Sequence, residues 1–423
     1  MLDTSRIQLD IAYNRTHLPV ESAGTLFVLA TVRASKEAEE QTKLNPPQVH
    51  LLLCIDASQS MSFENKLETA KKVALARIRR DLQQNDLVSL IVFSASAHEH
   101  IALANVGEVR EKLESEIGRL AIGTNTNIYE AIAKSADLIS KSPPGHVRRI
   151  VLFTDGQATA GITDPASIID LARKSCEASK SSMDVIGVGP DYDHSLTNGI
   201  AEATGGTSRH AQKPEDMDHL SETLVDKYKR TVIDNPSTLN IRFPRREQGD
   251  TSVDQAMQLS PELKPIEAIQ PIDSWLCRLG PISVARPYII ALMIRTQGYK
   301  EIQDTRVGVT QIIANLEIAG IRQDIAVEFT RDIALLQKET DKRPRIAYTI
   351  ASLVSEIANS TLSGDALKAQ DRTSFLDRVL SNPEVADVVN RDLTLSVIVA
   401  KYRQAKTIVD DRTKVDKLTK IRE

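Results

Sequence analysis

The sequence predicts an α/β domain with a doubly wound, mostly parallel sheet, inserted into a β-sandwich and followed by a C-terminal helical segment. Three observations predict it. From His50 to about Ile233, apolar strand-like runs alternate with segments of helical period, the pattern of a parallel sheet covered on both faces. On either side of that stretch the period becomes two, as in half-buried antiparallel strands. From Arg343 onward the pattern is helical.

In chain order, residues 1–47 supply two alternating segments, Ile7-Leu9-Ile11-Tyr13 and Leu26-Val28-Ala30-Val32. A polar linker with two prolines, Lys36 to Pro47, ends them. Residues 48–233 form the α/β domain. Its strands read Leu51–Ile55, Val88–Phe93, Ile150–Phe153 and Val185–Val188. Between them, Leu67, Ala70, Ala74 and Ile78 mark one helix face, and Val109, Leu113, Ile117 and Leu120 a second. Ile128, Ile132, Ala136 and Ile139 mark a third. Asp164-Pro165 pairs an N-cap with proline at the first helical position, and Ile169, Ala172 and Cys176 continue that helix. Met217, Leu220, Leu224 and Tyr228 predict a last helix from about Pro214.

Residues 234–340 return to strands at Leu239–Phe243, Tyr288–Arg295, Val307–Ile318 and Ile321–Phe329, with Ala319-Gly320 as a hairpin turn. The N-terminal strands need a partner sheet and complete this one. Residues 341–423 are helical: Ile346, Ile350, Leu353 and Ile357 share a face, Phe375, Val379 and Leu380 follow, and a basic helix ends the chain. Its cations are interleaved with Asp410, Asp411 and Asp416, which suits a solvated amphipathic helix better than a nucleic-acid patch.

Composition narrows the function classes. The 423 residues are 41% apolar and 26% charged with a net charge of −4, ordinary globular values that favour neither nucleic acid nor an anionic membrane. Aromatics at 4% weaken any case for base stacking. No apolar run approaches the ~20 residues that span a bilayer. The start, Met1-Leu2-Asp3-Thr4-Ser5, has no basic region followed by an apolar one, so it does not read as a signal peptide. Cys54, Cys176 and Cys277 are far apart in apolar runs and read as buried small hydrophobes of a reducing compartment. The expectation is a cytoplasmic protein.

The chemistry concentrates in three strand-to-helix loops on one sheet edge, where open α/β sheets bind ligands. The first is Asp56-Ala57-Ser58-Gln59-Ser60, a carboxylate and two hydroxyls after an apolar run. The second is Gly123-Thr124-Asn125-Thr126-Asn127-Ile128, a polar loop opening a helix. The third is Phe153-Thr154-Asp155-Gly156. Hard oxygen donors suit Mg²⁺, with Mn²⁺ or Ca²⁺ as substitutes, rather than a thiolate-loving metal.

In this order the three loops resemble the von Willebrand factor A family and its metal-ion-dependent adhesion site, over roughly residues 48–233. Asp86-Leu87-Val88-Ser89-Leu90-Ile91-Val92-Phe93-Ser94, Gly187-Val188-Gly189 and Ile200-Ala201-Glu202-Ala203-Thr204-Gly205-Gly206 fit as well. Within the family the chain is similar to the bacterial and archaeal proteins described as calcium-activated chloride-channel-like, which are typically not channels. The resemblance implies direct coordination by Ser58 and Ser60, and by Thr126 directly or through water. It makes Asp56 and Asp155 holders of coordinated water. One position is left open for an Asp or Glu of a partner protein. Gln59 replaces the glycine common between the two serines and joins Thr124 and Asn125 on the rim; Thr124 is a second candidate beside Thr126. The implied role is a metal-dependent adaptor or scaffold, serving an AAA+ ATPase system or a kinase–phosphatase module. The alternative is a structural or assembly protein whose sandwich and helical flanks make the contacts while the metal only stabilises the fold.

An enzyme is not expected. Haloacid dehalogenase phosphatases also open on a strand ending in Asp, but need a second Asp where this chain has Ser58. No Gly-x-x-x-x-Gly-Lys-Ser/Thr phosphate loop is present, and Ser58 and Ser60 lack a nucleophile elbow. His98-Glu99-His100 places two imidazoles on one strand face, better read as a solvated edge than as a Zn²⁺ site. Asp191-Tyr192-Asp193 fails the calcium-loop spacing and reads as a polar turn.

Overall fold

A computed structural model describes residues 6–189, 192–211, 231–233, 237–243, 251–260, 263–266, 274–284, 287–296, 307–363, 365–400, 402–403 and 406. The helix expected from Pro214, the Asn235-Pro236 boundary, Asp191 of the Asp191-Tyr192-Asp193 turn and the end of the basic helix lie outside them.

The chain opens with β1 (Ile7–Tyr13), β2 (His17–Pro19) and β3 (Gly24–Ala34), followed by α1 (Lys36–Leu44). That helix corrects the linker expected from Lys36 to Pro47. Ser35 Oγ accepts from the Ala38 amide at 3.2 Å, Glu37 and Glu39 lie in the first turn where the helix dipole favours acids, and Ala38 and Thr42 are buried. The two prolines fall after the helix, where they cannot interrupt it.

The α/β unit runs β4 (Val49–Asp56), α2 (Lys66–Asp81), β5 (Leu87–Phe93), β6 (Ala97–Asn105), α3 (Val106–Gly118), α4 (Ile128–Ser140), β7 (Val147–Thr154), α5 (Pro165–Ser179), β8 (Ser182–Val188), α6 (His194–Ala203) and β9 (Ser208–Ala211). Its sheet has the order β6-β5-β4-β7-β8-β9, parallel throughout except for antiparallel β6 at one edge. Every residue of β4 is buried. Val49, Leu51, Leu53 and Ile55 join the α2 and α3 side chains Leu67, Ala70, Ala74, Ile78, Leu113 and Ile117 in one core. Leu52 and Cys54 join Ile128, Ile132, Ile168, Cys176 and Ile200 of α4, α5 and α6 in the other. A central parallel strand with helices on both faces must be apolar on both, so the run shows no alternation. The chain leaves β4 toward β5 on one side and returns to β7 on the other. The crevice at the carboxyl ends of β4 and β7 is therefore the topological switch point, where such sheets take ligands.

The flanking strands make a sandwich of two five-stranded sheets. One has the order β1-β3-β16-β12-β13, with β12 (Thr251–Ser260), β13 (Lys264–Pro265) and β16 (Tyr288–Thr296). The other is β14-β11-β17-β18-β2, with β11 (Ser237–Arg242), β14 (Ser274–Leu279), β17 (Thr310–Ile318) and β18 (Ile321–Thr330). β10 (Thr231–Ile233) pairs with β15 (Ile282–Ser283) beside them. Leu26, Val28, Ala30 and Val32 of β3 meet Leu239, Ile241, Ile313 and Phe329 in the sandwich core. Strands on both sides of the α/β unit thus share one core, and the unit is an insertion. The strand expected from Val307 begins instead at Thr310, because Gly308 turns the chain with φ of +80°. Ala319 and Gly320, at φ of 50° and 84°, close the β17–β18 hairpin in a two-residue loop.

The C-terminal helices are α7 (Ile333–Gln337), α8 (Arg343–Leu362), α9 (Ala366–Leu380) and α10 (Pro383–Arg391), with residues 393–400 also helical. Ile346, Ile350 and Leu353 of α8 cover Met257, Leu259 and Ala291 on the outer face of the first sheet. Among the described residues, no helix is long and apolar enough to cross a membrane.

Candidate metal centre

β4 ends on Asp56, and the chain then turns sharply because the Ser58 amide donates back to Asp56 Oδ1 at 2.8 Å. The other carboxylate oxygen accepts from Thr154 Oγ1, at the end of the neighbouring β7, at 2.7 Å. Asp56, Ser58, Asp155 and Thr154 have no solvent exposure and Thr126 has 2%. Burial pushes the Asp56 carboxyl up to about 7, and the Asp155 charge adds to this against the bonds from Ser58 and Thr154. The site thus holds a costly buried carboxylate that a cation would compensate.

Hydrogen bonds stitch the three loops into one surface. Gln59 N donates to Thr124 O at 2.8 Å and Gly123 N to Ala57 O at 2.6 Å, joining the first loop to the second. Thr126 N donates to Thr159 Oγ1 at 2.9 Å, while Thr159 N and Ala160 N donate to Thr126 O at 2.9 and 3.0 Å, joining the second to the third. Asn127 caps α4 through Oδ1, which accepts from Glu130 N at 3.1 Å, and its own amide donates to Ser94 O at 2.7 Å. Gln59, Thr124 and Asn125 are exposed at the rim while Thr126 is turned inward.

The donor set suits a hard divalent cation. Ser58 Oγ and Ser60 Oγ lie 3.1 Å apart. Adjacent oxygens around an octahedral ion with bonds of about 2.1 Å stand about 3 Å apart, so the two hydroxyls already have that spacing. Among the described residues, no three His, Cys, Asp or Glu side chains gather into a metal cluster. His98 bonds Ser96 Oγ at 2.8 Å and His100 bonds Glu116 Oε2 at 3.1 Å, both on the exposed β6 edge.

Three residues of this centre escaped the sequence reading. Thr154 stood inside the third motif and is the hydrogen-bond bridge to Asp56. Thr159 ties the third loop to Thr126. Lys66, 2% exposed, points its ammonium at Asp155 Oδ2 from 3.3 Å. Its only sequence signal is a place on the buried stripe of α2 with Ala70 and Val73, at i, i+4 and i+7.

Comparison with known proteins identifies the domain that carries these loops. Residues 51–157, which include all three loops, match the family model of the von Willebrand factor type A domain. The chain carries a von Willebrand factor type A domain. Over 176 residues it is 31% identical to human inter-alpha-trypsin inhibitor heavy chain H4, covering 40% of this chain and 18% of that protein. Over 242 residues it is 24% identical to the uncharacterized protein YfbK of Escherichia coli strain K12, covering 55% of this chain and 40% of that one. The chain therefore spans about a fifth to two fifths of these relatives. Two solved structures share nearly the whole architecture. A von Willebrand factor type A protein from Catenulispora acidiphila superposes with a TM-score of 0.67 at 16% identity, covering 92% of this chain and 90% of that one. The ArnB paralog VWA2 from Sulfolobus acidocaldarius gives 0.52 at 14% identity, with 92% of each chain covered. The fold of a type A domain set in flanking strands and helices is common to all three.

Proposed function

We propose that the type A domain is a metal-dependent protein-binding module in which Ser58, Ser60 and Thr126 hold a divalent cation, Mg²⁺ by donor type. Asp56 and Asp155 back it, and an Asp or Glu of a partner protein completes its coordination. Bound there, the cation supplies an electrophilic position for that carboxylate. The protein's part is to hold two hydroxyls at coordination spacing, exclude bulk water from the carboxylates, and present Gln59, Thr124 and Asn125 to the partner. The observation that carries this reading is the 3.1 Å Ser58–Ser60 oxygen pair above two fully buried aspartates. Von Willebrand factor A domains commonly mediate protein interactions, which supports it.

Mn²⁺ binding followed by electron paramagnetic resonance tests the site: one equivalent should bind the wild-type chain and none the Asp56→Ala variant, with circular dichroism unchanged. Added millimolar acetate should displace water from the bound Mn²⁺ and lower the water-proton relaxation enhancement. Absence of Mn²⁺ binding by the wild-type chain would sink the proposal. A second reading places the partner contacts on the helical flank, where Leu367 and Leu393 are 83% and 80% exposed. It requires partner capture that survives EDTA and is lost on Leu393→Asp.

A further inference from the structure

We infer that Lys66 is a built-in counter-cation of the metal centre, a positioning residue that sets how much negative charge the site offers the metal. The inference rests on the metal-site reading above. Its basis is a position unfavourable for a lysine in two independent ways and reached through an uncommon backbone turn. The side chain is buried to 2% exposure, where an ammonium survives only if paired. It sits at the first residue of α2, where the helix dipole favours an acid over a base. The chain reaches it through two successive left-handed residues, Glu64 at φ 51° and Asn65 at φ 56°, neither of them glycine. A specific partner offsets such a placement, and Asp155 Oδ2 lies 3.3 Å from the ammonium.

The groove for the side chain is also shaped. Gly189, at φ +88°, follows β8 and lies against the Lys66 stem; a Cβ there would collide with Lys66 Cε. With Asp56 and Asp155 ionised, the two carboxylates and one ammonium leave the site with a net charge of minus one. A divalent cation then keeps an excess positive charge. That weakens its retention by the protein alone and strengthens its demand for an external carboxylate. Without a metal, the same ammonium holds Asp155 in place. Lys66 therefore couples metal retention to partner binding.

The test uses the full chain and Mn²⁺ alone. Lys66→Met removes the charge and keeps the stem. Lys66→Gln removes the charge and keeps a hydrogen-bond donor to Asp155, so it remains readable if the first variant does not fold. Both should bind Mn²⁺ at least fivefold more tightly than the wild-type chain by electron paramagnetic resonance titration. In EDTA, Lys66→Met should melt below the wild type, and adding Asp155→Asn should recover the loss. An affinity gain under fivefold, or any weakening, overturns the inference, as does an unchanged melting temperature of Lys66→Met in EDTA. A wild-type chain that binds no Mn²⁺ instead fails the metal-site reading, so the two failures are distinguishable.

Discussion

Thr154 Oγ1 donates to Asp56 Oδ2 at 2.7 Å and accepts from Gly156 N at 3.0 Å, tying the carboxyl ends of two neighbouring parallel strands through one buried hydroxyl. The bond links residues 98 positions apart and fixes the carboxylate that turns the Asp56–Ser60 loop. Thr154→Val is nearly isosteric but leaves that oxygen of Asp56 without its donor. It should cost about 1–3 kcal/mol of stability, the range for an unsatisfied buried polar partner. Thr154→Ser should recover most of the loss. Urea denaturation of the three proteins in EDTA checks this, and equal midpoints for wild type and Thr154→Val would refute it.

His50 gives a signed pH dependence away from the centre. Its Nδ1 lies 2.5 Å from Ser142 Oγ and its Nε2 2.9 Å from Ser89 Oγ, with the ring fully buried. Burial, then the nearby His146 and Arg148 charges, pushes its pKa down to about 3. Between pH 6.5 and 3 the unfolded chain binds a proton here that the native chain does not, so this residue's contribution to stability is lost as pH falls through that window. The slope is about 1.4 kcal/mol per pH unit at most. His50→Gln removes it: the stability difference, wild type minus variant, should shrink steadily from pH 6.5 to 4. Chemical denaturation at several pH values measures that difference, and a constant one would count against the assignment.

How much of this was readable in the sequence depended on whether burial left a local trace. β4 was legible because all eight of its positions are buried, which a continuous apolar run records directly. The three loops were legible because their residue types are unusual at strand ends. α1 was not: only Ala38 and Thr42 of its nine residues are buried, so a real helix reads as a polar linker. β12 was missed because Val253 and Ala256 face the sandwich core while Met257 and Leu259 face the helices, with a bulge between Val253 and Gln255 breaking the period. Lys66 left only a weak trace, its place on the buried stripe of α2, because a lysine at the start of a helix ordinarily reads as solvated.

The three thiols should be inert in the native protein. Cys54, Cys176 and Cys277 are free and buried, and burial raises their pKa values to about 12, 11 and 12. At pH 8 the thiolate fraction is then about one in a thousand or less, and only the thiolate attacks a disulfide reagent. Ellman's reagent should label none of them within minutes in native buffer and all three in guanidinium. Rapid native labelling of even one would show that its cover opens.

The helical cover on the sandwich makes the last prediction, because two apolar residues of the same segment should behave oppositely. Ile350 of α8 is fully buried among Met257, Leu259 and Ala291, at the joint between helix and sheet. Ile350→Ala deletes three carbons from a packed interface and should cost about 2–5 kcal/mol. Leu367 of α9 is 83% exposed, so Leu367→Ala should shift stability by less than about 0.5 kcal/mol. Tyr348, one turn-fraction from Ile350, packs its ring 5.3 Å from that of Phe27 on β3, so the damage at Ile350 should spread into the sandwich. The denaturation monitored at Trp275, buried in the sandwich core, should therefore move to lower urea in Ile350→Ala and stay in place in Leu367→Ala. Equal shifts in the two variants would mean that the helices fold independently of the sheet they cover.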